Sequence, residues 1–176
     1  MFGKRILMAK AGAEGSRKRT VKEREKYIMS LVNQMTLDEK IGMIHGAGLF
    51  RTAGVPRLGI PELHMSDGPM GVRQEFVDND WKNVYDSDDT VTYLPSNSAI
   101  AATWNPKRAK ECGEVLGTEA RGRGKDVILA PGINIKRTQL CGRNFEYMSE
   151  DPYLVSEMTV PLIKGIQKAD VAACVK

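Results

Sequence analysis

The chain has 176 residues, 41% of them hydrophobic and 27% charged, with a formal net charge of +4. This composition suits a globular domain with apolar mass for one core and excludes disorder, collagen and coiled coil as the main organisation. The charge is local: residues 1–26 hold nine basic and three acidic side chains, whereas the other 150 hold 17 basic and 19 acidic, so the basicity belongs to a tail.

That tail, residues 1–19, reads as flexible and solvated. From 21 to 35 apolar residues fall at 21, 27, 28, 31, 32 and 35, a stripe along one face of a helix that must dock on something. Thr36 is followed three residues later by Glu39, a capping-box pattern that opens a second short helix running to about His45. After a Gly-rich stretch, residues 61–65 read as a strand entering the turn sequence Ser66-Asp67-Gly68-Pro69, and 74–93 read as an acidic loop. Residues 98–104, Ser-Ala-Ile-Ala-Ala-Thr-Trp, read as a small-residue strand. Asn105-Pro106 then caps a helix to about Arg121. The pattern repeats with a strand at 126–129, a polar loop from 131 to 150, a helix from Asp151-Pro152 to about Lys168, and a last strand at 171–175.

Four short strands separated by helices imply parallel pairing, so the fold class is α/β. A closed (β/α)8 barrel typically takes about 250 residues, which leaves two architectures: an open doubly wound sheet, or the first half of a barrel with about four βα units and a helical N-terminal lead-in. In either one, ligands gather at the carboxyl ends of the strands. Reading just beyond each strand gives Asp67, then Trp104 and Asn105, then Asn134, Lys136, Arg137 and Arg143, then Lys176. A carboxylate, several cations and an indole on one rim suit a polyhydroxylated ligand, because charged groups bridge neighbouring hydroxyls and an aromatic covers a sugar's apolar face.

Competing signals are incomplete. Gly122 and Gly124 are followed by Val127 where a dinucleotide fingerprint needs Gly, and no phosphate-binding GxxxxGK[ST] occurs. Neither His45 nor His64 sits in an HExxH, Cys112, Cys141 and Cys174 form no CxxC pair, and there is no GxSxG elbow. No cofactor or metal is expected. A nucleic-acid partner is not expected either, since no basic face with interleaved aromatics exists. No apolar run approaches the roughly 20 residues of a bilayer span and the start lacks a secretory apolar stretch, so the chain is expected to be cytoplasmic with no membrane partner.

Longer motifs carry a resemblance. Met35-Thr36-Leu37-Asp38-Glu39-Lys40-Ile41-Gly42, Met65-Ser66-Asp67-Gly68-Pro69-Met70-Gly71-Val72-Arg73, Ala130-Pro131-Gly132-Ile133-Asn134-Ile135 and the run from Cys141-Gly142-Arg143-Asn144-Phe145-Glu146 to Asp151-Pro152 occur in order. Over residues 28–176 they closely resemble the N-terminal barrel domain of glycoside hydrolase family 3, the β-glucosidase type. The resemblance implies a retaining hydrolase, in which an Asp attacks the anomeric carbon while a separate carboxylic acid protonates the leaving oxygen and then activates water. It implies that Asp67 accepts hydrogen bonds from sugar hydroxyls, that Arg143 donates to them, and that Lys176, matching the Lys of the family's Lys-His pair, is another hydroxyl ligand. Glu146 is a further candidate, as ligand or as ion-pair partner of Arg143, and Trp104 suits either a sugar platform or the core.

The family's nucleophile lies in a Ser-Asp-Trp-like motif that this sequence lacks, since Asp80-Trp81 falls in the early acidic loop, and its acid/base comes from further along. Residues 20–176 are therefore expected to form an incomplete barrel domain that binds part of a β-glucoside or oligosaccharide substrate without hydrolysing it alone. The alternative is a non-catalytic carbohydrate-binding half barrel, or one completed by a C-terminal partner. An unpaired hydrophobic edge at 171–175 would also favour self-association.

Overall fold

The computed structural model describes residues 19–77, 80–82 and 90–176, so nearly all of the basic tail and part of the acidic loop lie outside the described residues. The chain forms two compact units, one reaching to Leu63 and one spanning His64–Lys176.

The first unit begins with α1, Val21–Gln34, and α2, Leu37–Met43. Both start on a complete capping box. The Thr36 hydroxyl accepts from the Glu39 amide at 3.2 Å while the Glu39 carboxylate accepts from the Thr36 amide at 2.8 Å, as the sequence pattern requires, and Thr20 with Glu23 repeats the device on α1. Each box satisfies two amides that a helix start otherwise leaves orphaned. An antiparallel pair, β1 at Gly46–Gly48 and β2 at Arg51–Thr52, follows. The apolar stripe of α1 is covered only towards its C-terminal end among the described residues: Leu31, Val32 and Met35 are half-buried, whereas Val21, Tyr27 and Ile28 are exposed.

Arg57 ties this unit together by gripping Glu39 in a fork, Nε to Oε1 and Nη2 to Oε2 each at 2.6 Å, while Nη2 also reaches the Gln34 carbonyl. The Arg57 hydrogen bond, and after it the Thr36 amide, hold the Glu39 carboxyl down from 4.5 to about 2. A depressed carboxyl stabilises the folded form fully above its unfolded value and loses that contribution as the pH falls through the folded one. Between pH 4.5 and about 2, the melting temperature of this unit should therefore fall with acidity, and Glu39→Gln should flatten that slope in thermal scans read by circular dichroism.

The second unit is α/β. Three strands, β3 at Met65–Asp67, β4 at Val127–Leu129 and β5 at Ala172–Ala173, pair in parallel in the order β3-β4-β5. Met65 sits opposite Val127, Asp67 opposite Leu129, and Ile128 opposite Ala173. Between the strands run α3, Asn97–Ala102, α4, Pro106–Gly122, and α5, Pro152–Lys168. Asn105 and Asp151 cap α4 and α5 by accepting from the amides of Lys107 and Tyr153 at 3.0 and 2.9 Å, and each helix has Pro in its first turn. Leu116 of α4, Met158 and Ile166 of α5, Ile128 of β4 and Val171 are all but completely buried in one core, where full burial of such a side chain is worth about 1.5–3 kcal/mol.

Two expectations are corrected. Residues 98–104 do not form a strand: the Ser96 hydroxyl caps the segment by accepting from the Ala99 amide at 3.2 Å, and Asn97, Ile100 and Ala101 are buried at helical spacing. A run of small residues carries no alternation that demands a strand, and alanines favour a helix once a cap is present. The parallel sheet therefore has three strands where the sequence reading has four. The first of them also starts later, at Met65, so that Asp67 is the last residue of the strand and not the residue beyond it.

Candidate functional site

Asp67 ends β3, and its carboxylate is used at once by the turn that follows. The Gly68 amide donates to Asp67 Oδ1 at 3.0 Å, and Gly68 has φ +136°, a conformation that L side chains rarely adopt. Behind the turn, the Arg73 amide donates to the Asp67 carbonyl at 3.1 Å and to the hydroxyl of buried Ser66 at 3.3 Å. The Arg73 guanidinium stacks 4.4 Å from the centre of the Phe76 ring. Burial pulls the Arg73 pKa down, against the opposing pull of the Asp67 and Glu75 charges.

Lys176 reaches this carboxylate from the other side of the sheet. Beyond β5 the chain keeps running beside the loop after β4, with the Lys176 amide donating to the Pro131 carbonyl at 3.0 Å and the Ile133 amide donating to the Lys176 carbonyl at 2.7 Å. That backbone clamp sets the Lys176 ammonium 2.7 Å from Asp67 Oδ1 and 3.3 Å from Glu146 Oε2. Glu146 closes a 3-10 turn at Asn144–Glu146, and its other oxygen, Oε1, accepts from Arg143 Nε. The Glu146 side chain is 6% exposed whereas that of Arg143 is 60% exposed. A buried carboxylate is tolerated when it is paired, and here each oxygen meets a cation. Glu146 raises the Arg143 pKa, first by the hydrogen bond and then by its charge, and Asp67 adds to the effect.

Asp67, Glu146, Arg143 and Lys176 thus form one neutral cluster of two carboxylates and two cations. The cluster leaves hydrogen-bonding capacity unused among the described residues. Asp67 Oδ2 accepts none of the described hydrogen bonds, Arg143 spends only Nε, and the Lys176 ammonium has a third N–H. Acceptor and donors side by side are what adjacent hydroxyls of a sugar ring require.

The other rim candidates go elsewhere. Lys136 donates to the Ser98 hydroxyl at 2.5 Å, on α3. Asn134 and Arg137 line a separate cavity of about 560 Å³ together with Cys141, Asn144 and Tyr147, and no member of the cluster lines it. Trp104 follows α3 with φ +51° and is 67% exposed. With 98–104 helical, neither Trp104 nor Asn105, the cap of α4, stands at a strand end.

The segment misread as a strand supplies contacts that sequence reasoning missed. Asn97 Nδ2 donates to the Glu146 carbonyl at 2.8 Å, and the Ser98 hydroxyl donates to the Tyr147 carbonyl at 2.8 Å. The only signal in the sequence is the polar Ser96-Asn97-Ser98 run before the alanines, which marks a cap and says nothing of its partner. Among the described residues no group of three or more His, Cys, Asp or Glu side chains is placed to hold a metal ion, and no helix is long and apolar enough to cross a membrane.

Residues 63–176 match the family model described as the glycosyl hydrolase family 3 N terminal domain. A beta-glucosidase of Bacteroides ovatus is 53% identical over 152 residues, covering 86% of this chain and 20% of its own length. The thermostable beta-glucosidase B of Acetivibrio thermocellus is 43% identical over 149 residues, 85% of this chain and 20% of its own. Among solved structures, beta-glucosidase 3B of Thermotoga neapolitana in complex with alpha-D-glucose superposes with a TM-score of 0.75 at 38% identity, covering 85% of this chain and 22% of that one. The chain spans about a fifth of the length of these relatives. On the match over its second unit and on these identities, the chain belongs to glycoside hydrolase family 3.

Proposed function

We propose that this chain carries the sugar-binding part of a β-glucoside-hydrolysing site, with Asp67 as hydroxyl acceptor and Arg143 and Lys176 as hydroxyl donors. The observation that carries the reading is the junction of Asp67, Glu146 and Lys176 at the carboxyl ends of β3 and β5, with Arg143 held to Glu146. The likeness to a structure whose ligand is glucose supports the same class of ligand. Glu146 acts in this reading on the two cations, since burial and pairing leave it little to offer a hydroxyl.

The architecture proposed for the second unit is the beginning of a (β/α)8 barrel. Sheet neighbours that follow chain order, β3-β4-β5, are what successive βα units of a barrel give. Retaining hydrolysis needs a nucleophilic carboxylate and an acid/base carboxyl about 5–5.5 Å apart. Asp67 and Glu146 are each engaged by a cation, and the nucleophile motif of the family is absent from the sequence. We therefore assign binding to this chain and expect no turnover from its own residues.

Titrating the 176-residue chain with D-glucose, followed by amide NMR, should give saturable shifts at the Gly68 and Lys176 amides, and a flat titration would overturn the binding assignment. The purified chain should release no aryl alcohol from an aryl β-glucoside. Turnover by the chain alone would show that a nucleophile is present after all, while turnover only on adding a polypeptide with the remaining strands would identify a completing partner.

A further inference from the structure

Glu146 sits in the cluster as the one group touching both cations, so whatever fixes its backbone fixes the site. Its carbonyl is approached from two sides. The first is Gly132, in the loop after β4, where a Cβ would lie 2.4 Å from the Glu146 oxygen. The second is Asn97, wholly buried at the start of α3, whose Nδ2 donates to that same oxygen at 2.8 Å. Beside it, Ser98 holds the next carbonyl, that of Tyr147.

The other end of the Asn97 amide is the informative one. Oδ1 is buried and has no hydrogen-bond partner among the described residues, and an unsatisfied buried acceptor costs about 1–3 kcal/mol. A leucine of nearly the same shape would avoid that cost. A buried amide that satisfies only its donor end is a poor choice for the core and a good one for holding a single carbonyl in place.

We propose that Asn97 is a positioning residue of the carbohydrate site: it anchors the Glu146 carbonyl so that the carboxylate spans Arg143 and Lys176 in the spacing that a sugar's hydroxyls need. This rests on the sugar-site reading above, but only in its second half. Anchoring of Lys176 through Glu146 is testable without any sugar.

The test uses the full chain and two variants, Asn97→Leu and Asn97→Ala, the first risking overpacking and the second a cavity, so that at least one folds by circular dichroism. The first readout is the Lys176 ammonium signal in a lysine-selective ¹H–¹⁵N spectrum, assigned by its disappearance in Lys176→Met. Held by two carboxylates, it should be resolved and slow to exchange in the parent chain and merge with the solvated lysines in either variant. The second readout is D-glucose affinity, expected to weaken about tenfold in Asn97→Leu and not to weaken further when Asn97→Leu is added to Glu146→Gln, since coupled residues are non-additive. A Lys176 signal that is unresolved in the parent, or unchanged in the variants, overturns the proposal. Equal effects of Asn97→Leu with and without Glu146→Gln would reduce Asn97 to a packing residue. Failure of the parent chain to bind glucose, with the Lys176 signal responding as expected, would overturn the sugar reading and leave the anchoring intact.

Discussion

Asp67→Ala is expected to remove glucose binding to beyond detection, a loss of about 100-fold or more. Hydrogen bonds to a charged group contribute about 1.5–3 kcal/mol each, and the substitution deletes the acceptor proposed for the sugar. It also frees the Lys176 ammonium of its 2.7 Å partner, leaving only the longer contact to Glu146. A second substitution separates these roles from turn formation. Asp67→Asn keeps an oxygen for the Gly68 amide and should fold with an unchanged melting temperature while binding glucose at least tenfold more weakly. Should Asp67→Asn bind as tightly as the parent chain in the same NMR titration, Asp67 would be a turn residue and the assignment of a charged acceptor would fail.

The largest effect on stability is expected where α4 and α5 meet. A Cβ at Gly113 would lie 2.1 Å from the Leu162 carbonyl oxygen, one at Gly165 2.3 Å from that of Lys110, and one at Gly117 2.5 Å from that of Ile166. These are backbone atoms of the facing helix, so no rotamer change relieves the clash and the helices must separate. Overpacking of this kind costs about 1–3 kcal/mol and occasionally more, and Gly113→Ala should lie at the upper end, about 3 kcal/mol, because the helices share the core built on Leu116, Met158 and Ile166. Alanine is the better helix former by about 1 kcal/mol, which makes the sign diagnostic. Gly122, at the end of α4 with nothing within 4 Å of its would-be Cβ, should instead gain up to about 1 kcal/mol on Gly122→Ala. Urea midpoints of the two variants moving in opposite directions would confirm the close approach; a neutral Gly113→Ala would refute it.

What the sequence made legible follows the range of the interaction. The caps at Thr36, Asn105 and Asp151 are written within three residues of each helix start, and each helix begins where that local chemistry places it. The strand expected at 98–104 failed because Ala and Ser leave no period to read, and the Ser96 cap decided the matter. The short antiparallel pair at 46–52 is Gly-rich and short, and nothing in its side chains announces a strand. In the site, Asp67 and Arg143 stand in motifs long enough to be recognised and Lys176 matches only one residue of a Lys-His pair, and the meeting of the three was not in the motifs. Lys136, Asn134 and Arg137 occupy the same loop sequence and point to other business, one to α3 and two to a separate cavity. Asn97 was hidden for the same reason: its partner, the Glu146 carbonyl, is 49 residues away.

The pair formed by Lys176 and Asp67 spans 109 residues of chain, and the backbone of its Lys is clamped against the loop after β4. Under the proposed binding role, sugar affinity depends on the seating of β5: a chain in which β5 has not docked on β4 lacks the ammonium beside Asp67. By mass action, a ligand that recognises only the seated form holds it there, adding about 2.7 kcal/mol when present at 100 times its dissociation constant. A monosaccharide bound in the proposed site would thus act as a clasp on β5, slowing its release and protecting the adjoining peptide bonds from proteases.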